Sequence, residues 1–313
     1  MSERRSTSTP ATVGYNWQVA HDDPAPKPDP GTLAQIFGPP PDRSDPLLDE
    51  LASVALVAAR AATAVLVEGK VGTPAGVETK TSATDMVSDV DRDAEAAVGE
   101  VLARMRPDDA VLGEEGTARA GTTPVRWVVD PLDGTTNFLF GIPQFSVSVA
   151  AEMDGLPVVG VVVHPSCSET WAAIRGRGAR LNGSPCRVAS GRSTLETALV
   201  ATGFGYQSAR REWQAEVARQ VIPAVRDIRR FGSAALDLCW TAGGRYDAYY
   251  EWGLNPWDLA AGALICREAG GRVEALPGRL IVAAPPGLFD PLCELLVAAG
   301  GLNSGPGTEP SFW

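Results

Sequence analysis

Residues 130–138 read Asp-Pro-Leu-Asp-Gly-Thr-Thr-Asn-Phe and follow the apolar run Val125-Arg126-Trp127-Val128-Val129. A short buried strand therefore ends in two carboxylates three positions apart, with a tight turn at Gly134. Asp130 and Asp133 can be brought to face one point in space. Two like charges about 4 Å apart repel by ~4 kcal/mol at an effective dielectric of 20, so such a pair needs a cation to neutralise it. The segment predicts a metal-dependent enzyme.

Five more acidic residues fall in comparable places. Asp85 lies in a loop before a second helix, Asp91 in that helix's first turn, and Glu114 and Glu115 end the strand Val111-Leu112-Gly113. Asp258 lies in the first turn of a helix opened by Asn255-Pro256. Each has a plain structural explanation. Ser88-x-x-Asp91 and Asn255-Pro-Trp-Asp258 look like capping boxes, Asp133-Gly134 like a turn, and Glu114 like a solvated strand end. Together they fit a site better, because all sit at strand ends or helix starts. Oxygen ligands with no His among them favour Mg²⁺ or Mn²⁺ over Zn²⁺. The chain has two histidines, His21 and His164.

The elements that must position these groups follow from caps and periodicity. Asp45 as N-cap with Pro46 behind it starts a helix that runs through Leu48, Leu51, Ala55, Ala58 and Ala62 to Gly69. Residues 70–87 read as loop, and a second helix runs from Ser88 to Pro107. Strands are predicted at 110–113 and 125–129. The β-rich runs 145–151, 158–164 and 170–174, broken at Asp154-Gly155 and Pro165-Ser166, predict an antiparallel meander. Beyond about residue 190, helices at 208–221, 233–243, 256–269 and 287–299 alternate with strands at 197–201, 247–251 and 280–284. The expected organisation is a disordered Pro-rich tail over 1–44, a half with most metal ligands over 45–190, a half with Asp258 and the substrate pocket over 191–301, and a flexible end over 302–313.

Composition narrows the class. The 313 residues are 44% hydrophobic and 21% charged, enough for a real core, and the net charge is −11. Such a chain repels nucleic acid and anionic membrane unless it carries a basic patch, and no dense Lys or Arg run makes one. No stretch is expected to approach the roughly 20 apolar residues of a membrane span. The N-terminus lacks a secretory apolar core despite Arg4 and Arg5. Cys167, Cys186, Cys239, Cys266 and Cys293 are scattered, with no Cys-x-x-Cys pair, which suits reduced thiols in the cytoplasm.

The motifs resemble the inositol monophosphatase family of Mg²⁺-dependent, lithium-sensitive phosphatases. Asp130-Pro-Leu-Asp133-Gly-Thr135-Thr-Asn-Phe138 looks like its first signature, and Trp257-Asp258-Leu-Ala-Ala-Gly262 with Glu268-Ala-Gly-Gly271 like its second. Gly113-Glu114-Glu115 and Lys80-x4-Asp85-x-Val87-Ser88-x-x-Asp91 also fit. The similarity spans roughly residues 47–299, with the four motifs in order; Ser88 stands where the family commonly has Thr.

The resemblance implies a mixed α/β (α+β) fold, a layered α-β-α-β-α sandwich of the inositol monophosphatase / fructose-1,6-bisphosphatase type, usually homodimeric. It implies that Glu114, Asp130 and the carbonyl of Leu132 hold one metal, and that Asp130, Asp133 and Asp258 hold a second. Glu114 with water would hold a looser third. Thr135 and Asp91 would polarise the attacking water, Gly134 and Thr135 would offer N–H groups to the phosphate, and Lys80, Asp85 and Glu115 would support the site. Glu251, seven residues before Asp258, would bind ring hydroxyls, with Thr202–Tyr206 and Arg210 as a pocket wall. The implied reaction is hydrolysis of myo-inositol monophosphate to inositol and phosphate. Histidinol phosphate, fructose-1,6-bisphosphate and 3′-phosphoadenosine 5′-phosphate are substrates of close relatives. A non-catalytic, metal-responsive interaction protein is the alternative from another class.

Other phosphate chemistries fit worse. Asp89-Val-Asp91 lacks the apolar strand that an aspartyl-phosphate enzyme places before its nucleophile, and Asp93 stands where Thr or Val belongs. Cys-x5-Arg occurs at Cys186/Arg192, Cys239/Arg245 and Cys266/Arg272, never with His before it, and two of these cysteines fall inside predicted helices. There is no Walker A run, and the Asp130…Asp133-Gly134 spacing is not that of an EF-hand.

Overall fold

The computed structural model describes residues 30–38, 45–69, 76–80, 86–189 and 194–302. Helix α1 (Pro30–Phe37) precedes α2 (Pro46–Glu68), whose N-cap Asp45 accepts from Leu47 N at 2.9 Å. A ribbon of β1 (Glu78–Thr79) and β2 (Met86–Val87) leads into α3 (Asp89–Met105). Then come β3 (Ala110–Gly113), β4 (Ala118–Arg119), β5 (Val125–Asp133), α4 (Thr135–Leu139), β6 (Ser146–Met153), β7 (Leu156–His164), β8 (Glu169–Ile174), β9 (Ala179–Leu181) and β10 (Ser184–Cys186). These strands form one sheet in the order β10-β9-β8-β7-β6-β5-β3-β4, antiparallel except for the β3/β5 pair.

The remainder holds β11 (Leu199–Thr202), α5 (Ser208–Val221), β12 (Asp227–Arg229), α6 (Ala234–Ala242), β13 (Ala248–Trp252), α7 (Pro256–Glu268), β14 (Arg272–Leu276), β15 (Leu280–Ala284) and α8 (Pro286–Ala298). Its sheet runs β12-β11-β13-β15-β14, with β11 parallel to both neighbours and the other pairs antiparallel.

Strand alternation sets the layers, because successive side chains point to opposite faces. On β5, Val125, Trp127 and Val129 join Leu51, Leu56 and Leu102 of α2 and α3 in one core, while Val128 faces the other way. That second core joins Val128, Ala150 and Val162 to Leu238 of α6, Leu264 of α7, and Tyr249 and Ile281 of the smaller sheet. Tyr250, Trp252 and Val282 face a third core with Val217 of α5 and Leu288 of α8. The result is α-β-α-β-α layering. At Gly160 the sheet touches α7 so closely that a Cβ would lie 2.9 Å from Ala261 O.

Two expectations need correction. The stretch 1–44 reads as a disordered tail in which Tyr15, Trp17, Ile36 and Phe37 could dock locally; of it, Pro30–Phe37 form a helix, and Phe37, with Ile36 beside it, buries all but 8% of its surface in the first core. Its apolar residues Leu33, Ile36 and Phe37 suffice to dock it. Residues 1–29, 39–44 and 303–313 lie outside the described residues. Second, α2 is long and apolar enough, at 23 residues, to cross a membrane by length and composition, contrary to the expectation that no stretch is. Here it lies against the larger sheet with Leu51, Val54, Leu56 and Leu66 buried.

The other boundaries fall close to the periodicity reading. The short β1 and β2, which fall in the 70–87 stretch read as loop, and β4, β9, β10, β12 and β14 go beyond the sequence reading; two-residue strands show no period, and the others carry Arg or Pro and little alternation.

Candidate active site

In a regular strand, residues three apart point to opposite faces. Asp130 and Asp133 escape that rule through a bulge in β5. Asp130 pairs with Ser148 and Asp133 with Ser146, so three steps on β5 oppose two on β6. The extra residue falls at Pro131-Leu132, where proline has no N–H to give the ladder. Both acids then turn toward the middle layer, where α6 and α7 begin. One oxygen from each of Asp130, Asp133 and Asp258 lies within 4.8 Å of the other two.

Each of these acids is anchored by backbone. Asp130 Oδ1 accepts from Leu132 N at 3.0 Å. Asp133 Oδ2 accepts from Ser233 Oγ and Ala235 N, both at 2.7 Å, at the start of α6. Asp258 Oδ2 accepts from Asn255 N at 2.7 Å, closing the capping box of α7. One oxygen of each lies outside these backbone bonds. The capping reading and the site reading of these residues therefore hold together.

Electrostatics make the trio unstable as a bare cluster of anions. Burial, then Glu114, Asp133 and Asp258, push Asp130 well above the usual carboxylate range. Burial, Glu114 and Asp133 do the same to Asp258. Burial carries Asp133 up to about 7 against the pull of its Ser233 and Ala235 bonds. An oxygen-only donor set that resists ionising without a counter-charge suits a hard divalent cation.

Glu114 arrives beside Asp130 because β3 runs parallel to β5, and Glu114 N donates to Val129 O at 3.2 Å. Lys80 Nζ bonds Glu114 at 2.9 Å and Glu115 at 2.8 Å. Burial lifts Glu115 to about 7 despite that lysine.

A second constellation adjoins the acids. Thr135 Oγ1 lies 2.9 Å from Asp91 Oδ1 and 3.1 Å from Leu132 O. The other oxygen of Asp91 accepts from Ser88 N at 2.9 Å and from Ser88 Oγ, which starts α3. With its proton given to Asp91, the Thr135 hydroxyl offers lone pairs to a water. Gly134, at φ 99°, makes the turn into α4, and a Cβ there would sit 3.0 Å from Gln144 O. Helix α4 has only five residues, so its dipole adds little to anion binding.

The acids, Thr135, Glu251, Arg210 and Arg230 line one cleft of about 360 Å³. Tyr249 OH donates to Glu251 Oε2 at 2.7 Å, and burial raises the Glu251 carboxyl against the pull of that bond and of Arg230 and Arg210. Among the described residues lining the cleft, none is Cys, Ser or His. Cys239 and Cys266 are buried elsewhere, and all five thiols are free.

The model of the inositol monophosphatase family matches residues 47–303. The chain belongs to the inositol monophosphatase family. It is 46% identical over 244 residues to an inositol-1-monophosphatase of Mycobacterium bovis, a match covering 74% of this chain and 84% of that one. It is 40% identical over 248 residues to a Nus factor SuhB of Pasteurella multocida, covering 76% and 92%. Its fold matches the crystal structure of the extragenic suppressor protein SuhB from Bartonella henselae with a TM-score of 0.73 and 41% identity, covering 78% and 96%. The five-layer sandwich is thus the inositol monophosphatase fold.

Within this family member, Asp91, Glu114, Asp130, Leu132, Asp133, Gly134, Thr135, Glu251 and Asp258 lie at or against one cleft. Lys80 reaches it, and Glu115 meets Lys80. Asp85 lies outside the described residues. The acidic trio excludes Glu114, which Lys80 engages instead.

Sequence reasoning missed three residues that hold the inositol monophosphatase cleft in shape. Ser233 anchors Asp133; its signal is Gly232-Ser233 before an apolar helix. Glu95 accepts from Glu115 N and Thr117 N, both at 2.7 Å, and so fixes the turn carrying Glu114. Its signal is its place one helical turn beyond Asp91. Asn137 Nδ2 bonds Gln144 O at 2.7 Å and Phe231 O at 2.6 Å, tying α4 to the segment before α6.

Proposed function

We propose that the cleft hydrolyses a small phosphomonoester with Mg²⁺, and that myo-inositol monophosphate is the substrate. The convergence of Asp130, Asp133 and Asp258 within 4.8 Å carries this reading. Asp130, Asp133, Asp258, Glu114 and the Leu132 carbonyl would hold the metal, and Mn²⁺ would fit the same oxygens. Bound Mg²⁺ supplies the charge that admits a doubly negative phosphate and lowers the pKa of a bound water.

The protein's own groups do the rest. Thr135, with its proton on Asp91, accepts a hydrogen bond from the water and aims its lone pair at phosphorus; Asp91 is the acceptor for the proton released. Glu114 would help orient that water, and the Gly134 and Thr135 N–H groups would donate to the phosphate. Glu251 receives hydroxyls of a neutral polyol, its carboxylate held by Tyr249. With no Cys, Ser or His among the described lining residues, direct attack by water is favoured over a covalent intermediate. The reading includes lithium sensitivity, a cytoplasmic homodimer, and no binding to nucleic acid or membrane at a net charge of −11.

The name of the Pasteurella relative supports a second reading, a binding role on the same scaffold without turnover. Phosphate release separates the two. A Mg²⁺-dependent screen of inositol monophosphate, histidinol phosphate, fructose-1,6-bisphosphate and 3′-phosphoadenosine 5′-phosphate, with and without Li⁺, should show release that Li⁺ suppresses, fastest on inositol monophosphate. No release on any of them would sink the enzymatic reading.

A further inference from the structure

Gly203 lies beside Glu251 because β11 runs parallel to β13. Ala201 pairs with Tyr249 and Thr202 with Tyr250, so the next residues along, Gly203 and Glu251, stand side by side where β11 ends. A Cβ on Gly203 would overlap the Glu251 carboxyl: its three nearest neighbours would be the two carboxylate oxygens and the carbon between them. Backbone conformation does not ask for this glycine. Gly203 has no positive φ, so an alanine could follow the same path. What the missing side chain provides is room for one carboxylate, which Tyr249 OH fastens by its Oε2 at 2.7 Å.

The wall around this seat is built in the same way, and it is fixed. A Cβ on Gly205 would lie 2.7 Å from Arg210 Cδ. Gly205 N donates to Oε1 of Gln214, a residue 1% exposed, at 2.8 Å. Arg211 Nη1 donates to Gly205 O at 3.2 Å and to Tyr206 O at 2.5 Å. Helix α5 thereby clamps the loop after β11. A side chain added at 203 would displace the carboxylate, at the end of its flexible stem, and not the backbone. Arg210 and Arg230 stand near enough to favour the charged form, so the seated carboxylate has its counter-charges at hand.

A carboxylate reads hydroxyls by accepting their protons, and such bonds weaken steeply once misaligned. Moving the Glu251 carboxylate off its seat would lose that alignment. Asp130 and Asp133 are set by the register of β5 against β6 and do not depend on position 203.

We propose that Gly203 is a specificity-determining residue: the side chain it lacks is the seat of the Glu251 carboxylate, and that seat lets the cleft select phosphate esters of polyhydroxy compounds over esters without hydroxyls. This rests on the phosphatase reading above and on the role given there to Glu251.

The test is steady-state phosphate release from inositol monophosphate and from p-nitrophenyl phosphate at fixed free Mg²⁺, by the wild type, Gly203→Ala, Glu251→Ala and the double variant. Gly203→Ala should lower kcat/KM on inositol monophosphate at least about tenfold, the scale of hydrogen bonds to a charged group, with most of the change in KM. p-Nitrophenyl phosphate should lose far less. In the Glu251→Ala background, where the seat is empty, adding Gly203→Ala should cost no more than about twofold, since the two residues act through one contact. Should Gly203→Ala fail to fold, the double variant decides: Glu251→Ala removes the overlapping carboxyl and should restore the fold, and a double variant that stays unfolded would overturn the seat. An unchanged KM for inositol monophosphate in Gly203→Ala, equal losses on the two esters, or an undiminished Gly203→Ala loss in the Glu251→Ala background would overturn it and leave the phosphatase standing. Release by the wild type from p-nitrophenyl phosphate but not from inositol monophosphate would overturn the polyol reading and this role with it. Release from neither would overturn the phosphatase reading itself.

Discussion

Ser233 Oγ donates to Asp133 Oδ2 at 2.7 Å across 100 residues of chain. One contact thereby joins the larger sheet to the start of α6, because Ser233 is also the N-cap whose oxygen meets Leu236 N. The carboxylate that belongs to the acidic trio is aimed by a helix terminus of the opposite half. Removing the hydroxyl should therefore cost both stability and metal affinity. Ser233→Ala is expected to lose about 1 kcal/mol by urea denaturation with m unaltered. Its Mg²⁺ half-saturation for activity should rise roughly 10–100-fold, as loss of a ligand's supporting bond typically does. A stability loss with the Mg²⁺ curve unmoved would mean that the bond only caps the helix.

Thr135 and Asp91 form the second long-range pair, 44 residues apart and 2.9 Å in contact. Thr135→Val keeps the shape and removes the hydroxyl, and kcat should fall roughly 10²–10⁴-fold, the usual range for general acid–base help. Thr135→Ser should keep most of the rate. Circular dichroism on the same samples checks that α3 and α4 persist. A Val variant with near-normal kcat would remove this pair from the reaction.

Glu251 is held by Tyr249 on the wall of the same cleft. Glu251→Gln should weaken inositol monophosphate by about 10–100-fold in kcat/KM, the worth of hydrogen bonds to a charged group. p-Nitrophenyl phosphate, which has no ring hydroxyls, should lose far less. Equal losses on the two esters would count against the polyol assignment.

Acid sensitivity should come in part from Asp109. It is 1% exposed and accepts from Arg106 Nε at 2.6 Å, Thr123 Oγ1 at 2.6 Å and Trp127 Nε1 at 2.9 Å. Burial works to raise its pKa, but the bonds from Arg106, Thr123 and Trp127 outweigh it, so the carboxyl lies below its usual range. A depressed folded pKa gives stability that is complete above the unfolded value of about 3.9 and lost as pH falls through the folded one. Asp109→Asn should cost about 3 kcal/mol at neutral pH. The gap between wild type and variant should narrow once pH drops below about 4, measured by urea titrations at stepped pH. A constant gap would show that Asp109 does not titrate with unfolding.

Much of this was readable from local chemistry. Asp45-Pro46 and Asn255-Pro256 start helices where a cap and a proline say one should, and Ser88-x-x-Asp91 starts one with a capping box. The motifs sufficed for the family, because Asp130, Asp133, Thr135 and Asp258 occur in order with their turn residues. For helix α1 the docking residues Ile36 and Phe37 stand out in the sequence but the helix does not, since eight residues with a few apolar positions become helical only when a core is there to receive Phe37.

Residue types and spacing alone determined which groups could do chemistry and which helix or strand end would carry each. Side-chain direction was decided by the tertiary structure. A strand's two-residue period would send Asp130 and Asp133 to opposite faces, and only the slipped register against Ser148 and Ser146 brings them together. Likewise, Asp258 reaches the pair because α7 packs in the middle layer, and Arg210 enters the cleft because Gly205 close by and Gly253 far along the chain leave it a slot. Such meetings depend on how layers stack across a hundred or more residues, and no local preference encodes that.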